Sequence, residues 1–227
     1  QARLINDARA EGIVSLSAAI LEKDIHVTEA IRAIAARTRP GDSLTFAGGT
    51  CLSKAHHLVK RMSEDVDFRL IPNELESLGR NARSAHLRTV HGELVEALRA
   101  ADFLVRDEDI KVRNERNKFS CELRYQSAYD ADTSLRPSVL IELTAIRPRL
   151  GTKQLALRPL IDELTGKKTA EGANAACIAV AQTYSEKIVS YLRRSAEHLT
   201  KRENSQYDER LARHIYDVHC IETRYFA

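Results

Sequence analysis

The stretch Phe46-Ala47-Gly48-Gly49-Thr50-Cys51-Leu52-Ser53, followed by Arg61-Met62-Ser63-Glu64-Asp65-Val66-Asp67-Phe68, constrains this chain more than any other. It predicts a strand, a glycine turn, a helix and a second strand. Leu44 to Phe46 are apolar and run into a glycine pair, the pattern of a buried strand end. Gly48 and Gly49 permit backbone angles and close approaches that other residues refuse. Leu52, Ala55, Leu58 and Val59 then recur at helical spacing. The start of such a helix offers unpaired N–H groups and the positive end of a dipole, which suits phosphate. Thr50 and Ser53 add hydroxyls to that cradle. Val66, Phe68 and Leu70 alternate with Asp65, Asp67 and Arg69, so the two aspartates share one strand face. That spacing can hold one or two Mg²⁺ ions. Alone, Gly-Gly is a turn and Asp-x-Asp a solvated strand. Joined by one helix, they bring a phosphate cradle beside a metal pair.

Gly-Gly-Thr-x-Leu-Ser-Lys at 48–54 and Arg-x-Ser-Glu-Asp-x-Asp at 61–67 resemble the signature of the AbiEii/AbiGii toxin family of nucleotidyltransferases. That family belongs to the DNA polymerase β-like nucleotidyltransferase superfamily. The resemblance extends in order from Glu22-Lys23-Asp24, through Glu186-Lys187 with its apolar pair, to Arg213-His214-x-Tyr216-Asp217. It implies an α+β fold: a polymerase β-like lobe with a mixed sheet flanked by helices, plus a C-terminal helical lobe. The expected division is 1–165 and 166–227. By resemblance, Glu142 is the third metal carboxylate beside Asp65 and Asp67. Lys187 contacts the nucleotide triphosphate, and Asp217 is needed for activity. Asp217 could position Lys187 or the acceptor; a salt bridge to Arg213, four residues earlier, is the plainer alternative.

Composition agrees with such an enzyme and excludes other classes. At 227 residues with a 43% hydrophobic share, the chain can bury a full α/β core and a smaller helical one. No run approaches the ~18 apolar residues of a membrane span, and no signal-peptide pattern is visible. Cys51, Cys121, Cys177 and Cys220 lie far apart without CxxC spacing. That argues against a zinc site or a disulfide framework and for a cytoplasmic protein. His56 and His57 point about 100° apart on a helix, which argues against a metal pair. The first residue is Gln and family members continue past residue 217, so a longer natural protein is expected. Net charge is only +3, but residues 136–168 hold seven basic and three acidic side chains. That segment alone exceeds the whole chain, and a phosphate backbone is the partner it suits.

The rest of the chain is predicted as follows. Leu4 to Leu21 form one or two helices, and Thr28 caps another that reaches Arg37. Glu22-Lys23-Asp24 is assigned to packing, without a chemical role. A long helix starts at Pro72-Asn73 and buries Leu75, Leu78, Ala82, Leu87, Val90, Leu94 and Leu98. Strands follow at 103–112, 118–126 and 138–146, with a turn at 114–117. In the last of these, Glu142 stands alone among apolar residues, where burial without a partner would be costly. Residues 147–172 are expected to be irregular, with one short strand or helix. Thr183-Tyr184-Ser185-Glu186 reads as a capping box. Lys187 would then sit in a helix's first turn, where a cation needs an anionic partner. Ile188, Leu192, Ala196 and Leu199 would form the buried side of that helix.

The expected activity is that of a toxin from a bacterial toxin–antitoxin or phage-defence pair. It transfers a nucleotide from an NTP to an acceptor hydroxyl, with RNA, and the 3′ end of tRNA in particular, as acceptor. The cofactor is Mg²⁺, the partner a cognate antitoxin, and no membrane is involved. Asp65, Asp67, Lys187 and Asp217 are the catalytic set. Gly48, Gly49, Thr50, Ser53, Ser63 and Lys187 hold the nucleotide, and Asp65, Asp67 and Glu142 hold the metal. The alternatives are transfer to a protein or to a small molecule such as an aminoglycoside, and a nucleotide-binding regulator without catalysis. Thr50 and Ser63, placed at the pocket rim, would silence the enzyme if phosphorylated.

Overall fold

The computed structural model describes residues 2–37, 41–72, 78–130, 132, 135–168, 172–200 and 211–227. The expected start of a helix at 73, with Leu75, lies outside them. Two helices open the chain, α1 (Ala2–Ala10) and α2 (Ala18–Ala35). A strand, β1 (Asp42–Ala47), runs into the short helix α3 (Gly48–Lys54), and β2 (Asp65–Pro72) follows. Then come the long helix α4 (Arg80–Ala100) and strands β3 (Ile110–Arg113), β4 (Lys118–Arg124) and β5 (Ser138–Ala145). Strand β6 (Thr152–Leu157), helix α5 (Leu160–Thr165) and strand β7 (Ala173–Ile178) precede the final helices α6 (Val180–Leu199) and α7 (Leu211–Ile221). Among the described residues no helix is long and apolar enough to cross a membrane.

Among the described residues seven strands join one sheet in the order β3-β4-β5-β2-β1-β7-β6. It is mixed, as expected: β1 pairs antiparallel with β2 and parallel with β7, and β2 pairs parallel with β5. The main core is built by α2 and α4 against Phe46, Val66, Phe68, Leu70, Ile141 and Leu143. The alternation read in β2 is real: Val66, Phe68 and Leu70 face this core, and Asp65, Asp67 and Arg69 do not. Strand β7 lies beyond residue 165 in the chain and still pairs with β1 in this sheet. Leu52, Leu58 and Val59 meet Val180, Cys220 and Ile221, which fastens the C-terminal helices to the end of α3. All four cysteines are buried and none forms a disulfide.

Several expectations are corrected. Helix α2 is continuous across Glu22-Lys23-Asp24, capped by Ser17, whose hydroxyl accepts from the Ile20 N–H. Thr28 is inside it, and its hydroxyl donates to the Asp24 carbonyl at 2.9 Å. A buried hydroxyl satisfied by the preceding turn is indistinguishable in sequence from an N-cap. Helix α4 begins at Arg80 and leaves Ala82 exposed, while Leu78 packs on the core from outside it. Residues 103–109 form only an isolated bridge and a 3₁₀ turn before β3. The 147–172 segment supplies β6 and α5, and β6 hydrogen-bonds along its length with β7. On α6, Leu192 and Leu199 are exposed rather than buried, because helical spacing reports an apolar stripe but not what covers it.

Candidate active site

The glycine turn and the aspartate strand meet directly. Gly48 has φ +77°, and a Cβ there would stand 1.9 Å from Asp67 Oδ2. No side chain fits between this backbone and that carboxylate. A Cβ on Gly49 would stand 2.7 Å from Arg61 Nη2 and 3.3 Å from Ser63 Oγ. The two motifs are therefore packed backbone to side chain across the β1–β2 pair, where Ala47 is in register with Asp67. The Thr50 hydroxyl donates to the Asp65 carbonyl. Thr50 is 1% exposed, so it is not at the pocket rim and is not open to phosphorylation. Ser53 donates to the Thr50 carbonyl at 3.1 Å, within its own helix. Ser63 is half-buried beside Gly49.

Parallel pairing of β2 with β5 sets Asp67 in register with Glu142. Burial, the charges of Glu142 and Asp65, and a hydrogen bond with Glu142 push the Asp67 carboxyl up to about 7, against the pull of Lys187. Asp65 faces a cation instead: Arg136 Nη1 lies 2.9 Å from its Oδ1. Among the described residues no three His, Cys, Asp or Glu side chains are grouped as a ready metal cage. The expected triad is thus a touching pair, Asp67 and Glu142, with its third member held by an arginine. The donor set still fits a hard divalent cation: the oxygens are carboxylates, and after burial the charges of Glu142 and Asp65 are what raise Asp67. Asp65 would exchange Arg136 for the metal.

The C-terminal helices bring the remaining residues. Lys187 is the eighth residue of α6, not in its first turn, because the helix starts at Val180 after Ala179. Thr183 is therefore not a cap; it is buried in the first turns, and its hydroxyl finds no partner among the described residues. Glu186 accepts from Gln182 at 2.9 Å and Arg69 at 2.8 Å. The anionic partner expected for Lys187 is present: its Nζ lies 2.7 Å from Asp217 Oδ2. Arg61 grips the same carboxylate from both oxygens, Nε to Oδ1 at 2.8 Å and Nη2 to Oδ2 at 2.6 Å. Arg213 is exposed and is not the partner of Asp217. Burial alone would raise the Asp217 carboxyl, which is fully enclosed. Hydrogen bonds from Arg61 and the charge of Lys187 outweigh it and hold the group below the usual carboxylate range.

The sequence model of the family described as nucleotidyl transferase AbiEii toxin, type IV toxin–antitoxin system, matches residues 30–227. The chain belongs to this AbiEii family. The family resemblance read from the motifs and the α+β architecture are both borne out. A similar solved structure is MenT4, a nucleotidyltransferase toxin from Mycobacterium tuberculosis H37Rv. It aligns over 99% of this chain and 72% of its own, at 19% identity and a TM-score of 0.56, a likeness of fold. No curated protein matches the sequence.

Sequence reading missed two arginines of this AbiEii site. Arg61 belongs to the motif that leads into β2, and its place four residues before Asp65 is the signal the sequence offers. Arg136 stands out in the sequence as one charge of a basic segment. The exposed members of that segment include Arg149, Lys153 and Arg158, on and beside β6. The loop before β6 is anchored to α6, where Gln182 Oε1 accepts from the Arg149 and Leu150 N–H groups at 2.9 and 3.0 Å. A groove of about 430 Å³ lined by His56, Thr152, Lys153, Leu155 and Tyr225 includes none of the expected site residues.

Proposed function

We propose that this AbiEii nucleotidyltransferase moves a nucleotide from an NTP to the 3′-terminal hydroxyl of an RNA, a tRNA in particular, and acts in the cytoplasm under control of a cognate antitoxin. The observation that carries the reading is the seating of Asp67 against Gly48 with Lys187 pulling on the same carboxylate. A glycine turn, a carboxylate pair and a lysine whose charge acts on that pair are the parts such a transfer uses. Gly48 and Gly49 present backbone N–H groups to the triphosphate. Lys187, oriented by Asp217, meets its charge, and Ser63 at the rim offers a hydroxyl. Asp65, Asp67 and Glu142 are the residues that would hold Mg²⁺, which when bound lowers the acceptor hydroxyl's pKa and offsets charge on the leaving pyrophosphate. Positioning and electrostatics of this kind supply most of the barrier reduction in such transfers. Arg149, Lys153 and Arg158 present positive charge on and beside β6, and this favours a polyanionic acceptor over a cationic drug.

The test incubates the protein and Mg²⁺ with each labelled NTP, once with total RNA and once with total protein. Label at RNA 3′ ends is expected. Label on protein alone, or on neither, would reject the RNA assignment.

A further inference from the structure

Three consecutive charged residues of α2, Glu22, Lys23 and Asp24, are buried, and Lys23 is 0% exposed. A buried charge is tolerated only when paired and hydrogen-bonded, and each of these is. The destination of the partners is informative. Lys23 Nζ donates to Glu64 Oε2 at 2.6 Å, to the Arg136 carbonyl at 2.5 Å and to the Ser138 carbonyl at 2.8 Å. All three ammonium protons are used. Glu64 Oε2 also accepts from the Arg136 N–H at 2.8 Å. Glu64 directly precedes Asp65, Arg136 carries the guanidinium that holds Asp65, and Ser138 opens the strand that bears Glu142. One ammonium thus joins the leading ends of β2 and β5, the two strands that carry the three site carboxylates.

Asp24 makes the complementary tie. Its Oδ1 accepts from Lys54 Nζ at 2.6 Å, and its Oδ2 accepts from the Leu160 N–H at 2.6 Å. Lys54 is the last residue of α3, the helix that starts at Gly48. Adjacent residues of one rigid helix therefore grip the two halves of the site, the carboxylate strands through Lys23 and the glycine helix through Asp24. Glu22 differs: among the described residues it binds the segment after β4, accepting from the Ala128 N–H at 2.8 Å and from the Ser127 hydroxyl.

We propose that Lys23 and Asp24 are positioning residues of the active site: through Glu64 and Lys54 they set the spacing between the carboxylate pair and the glycine turn. This rests on the nucleotidyl-transfer reading above. Neither residue touches substrate. Their effect is exerted through the placement of Asp65 and Glu142 on one side and Gly48 on the other.

The experiment replaces each pair by uncharged partners, so that no buried charge is orphaned. The variants are Lys23→Met/Glu64→Met and Asp24→Asn/Lys54→Met, with Glu22→Gln as a control that loosens a contact away from the site. Melting temperature is measured for each, with fluorescent-NTP and Mn²⁺ titrations made without acceptor, and kcat and KM for transfer. The Lys23/Glu64 variant is expected to weaken Mn²⁺ binding at least fivefold and lower kcat at least tenfold, with NTP affinity in excess Mn²⁺ within about twofold of wild type. The Asp24/Lys54 variant is expected to weaken NTP binding at least fivefold. Glu22→Gln should keep wild-type kcat and affinities whatever its melting temperature. Folded pair variants with wild-type binding and kcat would overturn the proposal. So would losses that merely track melting temperature across all three, Glu22→Gln included. Where a methionine pair fails to fold, Lys23→Arg, which keeps the charge but not the geometry, takes its place: wild-type kcat and Mn²⁺ affinity in that variant would likewise overturn it. A wild-type protein that binds NTP and Mn²⁺ but transfers nothing counts against the reaction, not against the positioning.

Discussion

Gly48 is the residue at which geometry and chemistry are least separable. Gly48→Ala must place a methyl group on Asp67 and hold a left-handed backbone. Gly166 has nearly the same φ, +69°, but open space around its Cβ position. Gly166→Ala therefore isolates the backbone strain, about 1 kcal/mol, without the collision. Transfer should fall more than a hundredfold in Gly48→Ala and stay within twofold in Gly166→Ala. Comparable activity in the two, assayed beside urea denaturation, would mean that the Gly48–Asp67 contact is not catalytic. Asp217 offers a second contrast. Asp217→Ala leaves Arg61 and Lys187 facing each other without their shared anion, and about 3 kcal/mol of stability should go with it. Arg213→Ala, on the exposed face, should stay within about 0.5 kcal/mol. Ser63→Glu would add charge beside Gly49 and near Asp65; growth arrest and transfer should both be lost with the melting temperature preserved.

Helix α4 carries the clearest pH dependence. His91 is buried, stacks on Phe119 with centroids 4.6 Å apart, and its Nδ1 has no partner among the described residues. Burial first, and then the charge of Arg116, lowers its pKa from 6.5 to about 4. Above pH 6.5 the ring is neutral in both folded and unfolded chains and contributes no dependence. As pH falls from 6.5 toward 4 the unfolded chain takes up a proton that the native one refuses, and up to about 3 kcal/mol is lost. His91→Phe should remove that part of the acid sensitivity, seen as a smaller stability difference between pH 7 and pH 4.5. Other elements differed in how much of themselves they disclosed. The alternation of β2 and β5 was legible because each shows one face to the core and one to the site. The start of α6 was not, since Thr183-x-x-Glu186 has the form of a cap while Val180 had already begun the helix. Strands β6 and β7 were obscured because β6 is an edge strand with exposed Thr152, Lys153 and Gln154, and no apolar run announces it.

Across the whole molecule the motifs point to candidate site residues but not to their wiring. Asp65, Asp67, Glu142, Lys187 and Asp217 could be named because their types and order are informative. Arg61, Arg136, Lys23 and Asp24 could not, because what they do depends on partners from 30 to 156 positions away in sequence. The basic surface is a property of the same scale. If Lys153 and Arg158 each contact an RNA phosphate, Lys153→Ala/Arg158→Ala should flatten the slope of log affinity against log salt by about 1.5, with kcat at saturating RNA unchanged. An unaltered slope would remove β6 from the RNA path.

The bond from Arg61 and Lys187 to Asp217 also has a meaning in time. The glycine turn and all three carboxylates have left the ribosome long before Asp217 is translated, yet Lys187 has no anchor until α7 folds back onto the end of α3. A growing or prematurely terminated chain holds nearly every reactive group but lacks the carboxylate that fastens Lys187. Ending translation after residue 200 should accordingly give cells that make the fragment and keep growing. A transferase whose lysine waits for a helix translated well after its carboxylates stays inert while those carboxylates are being made.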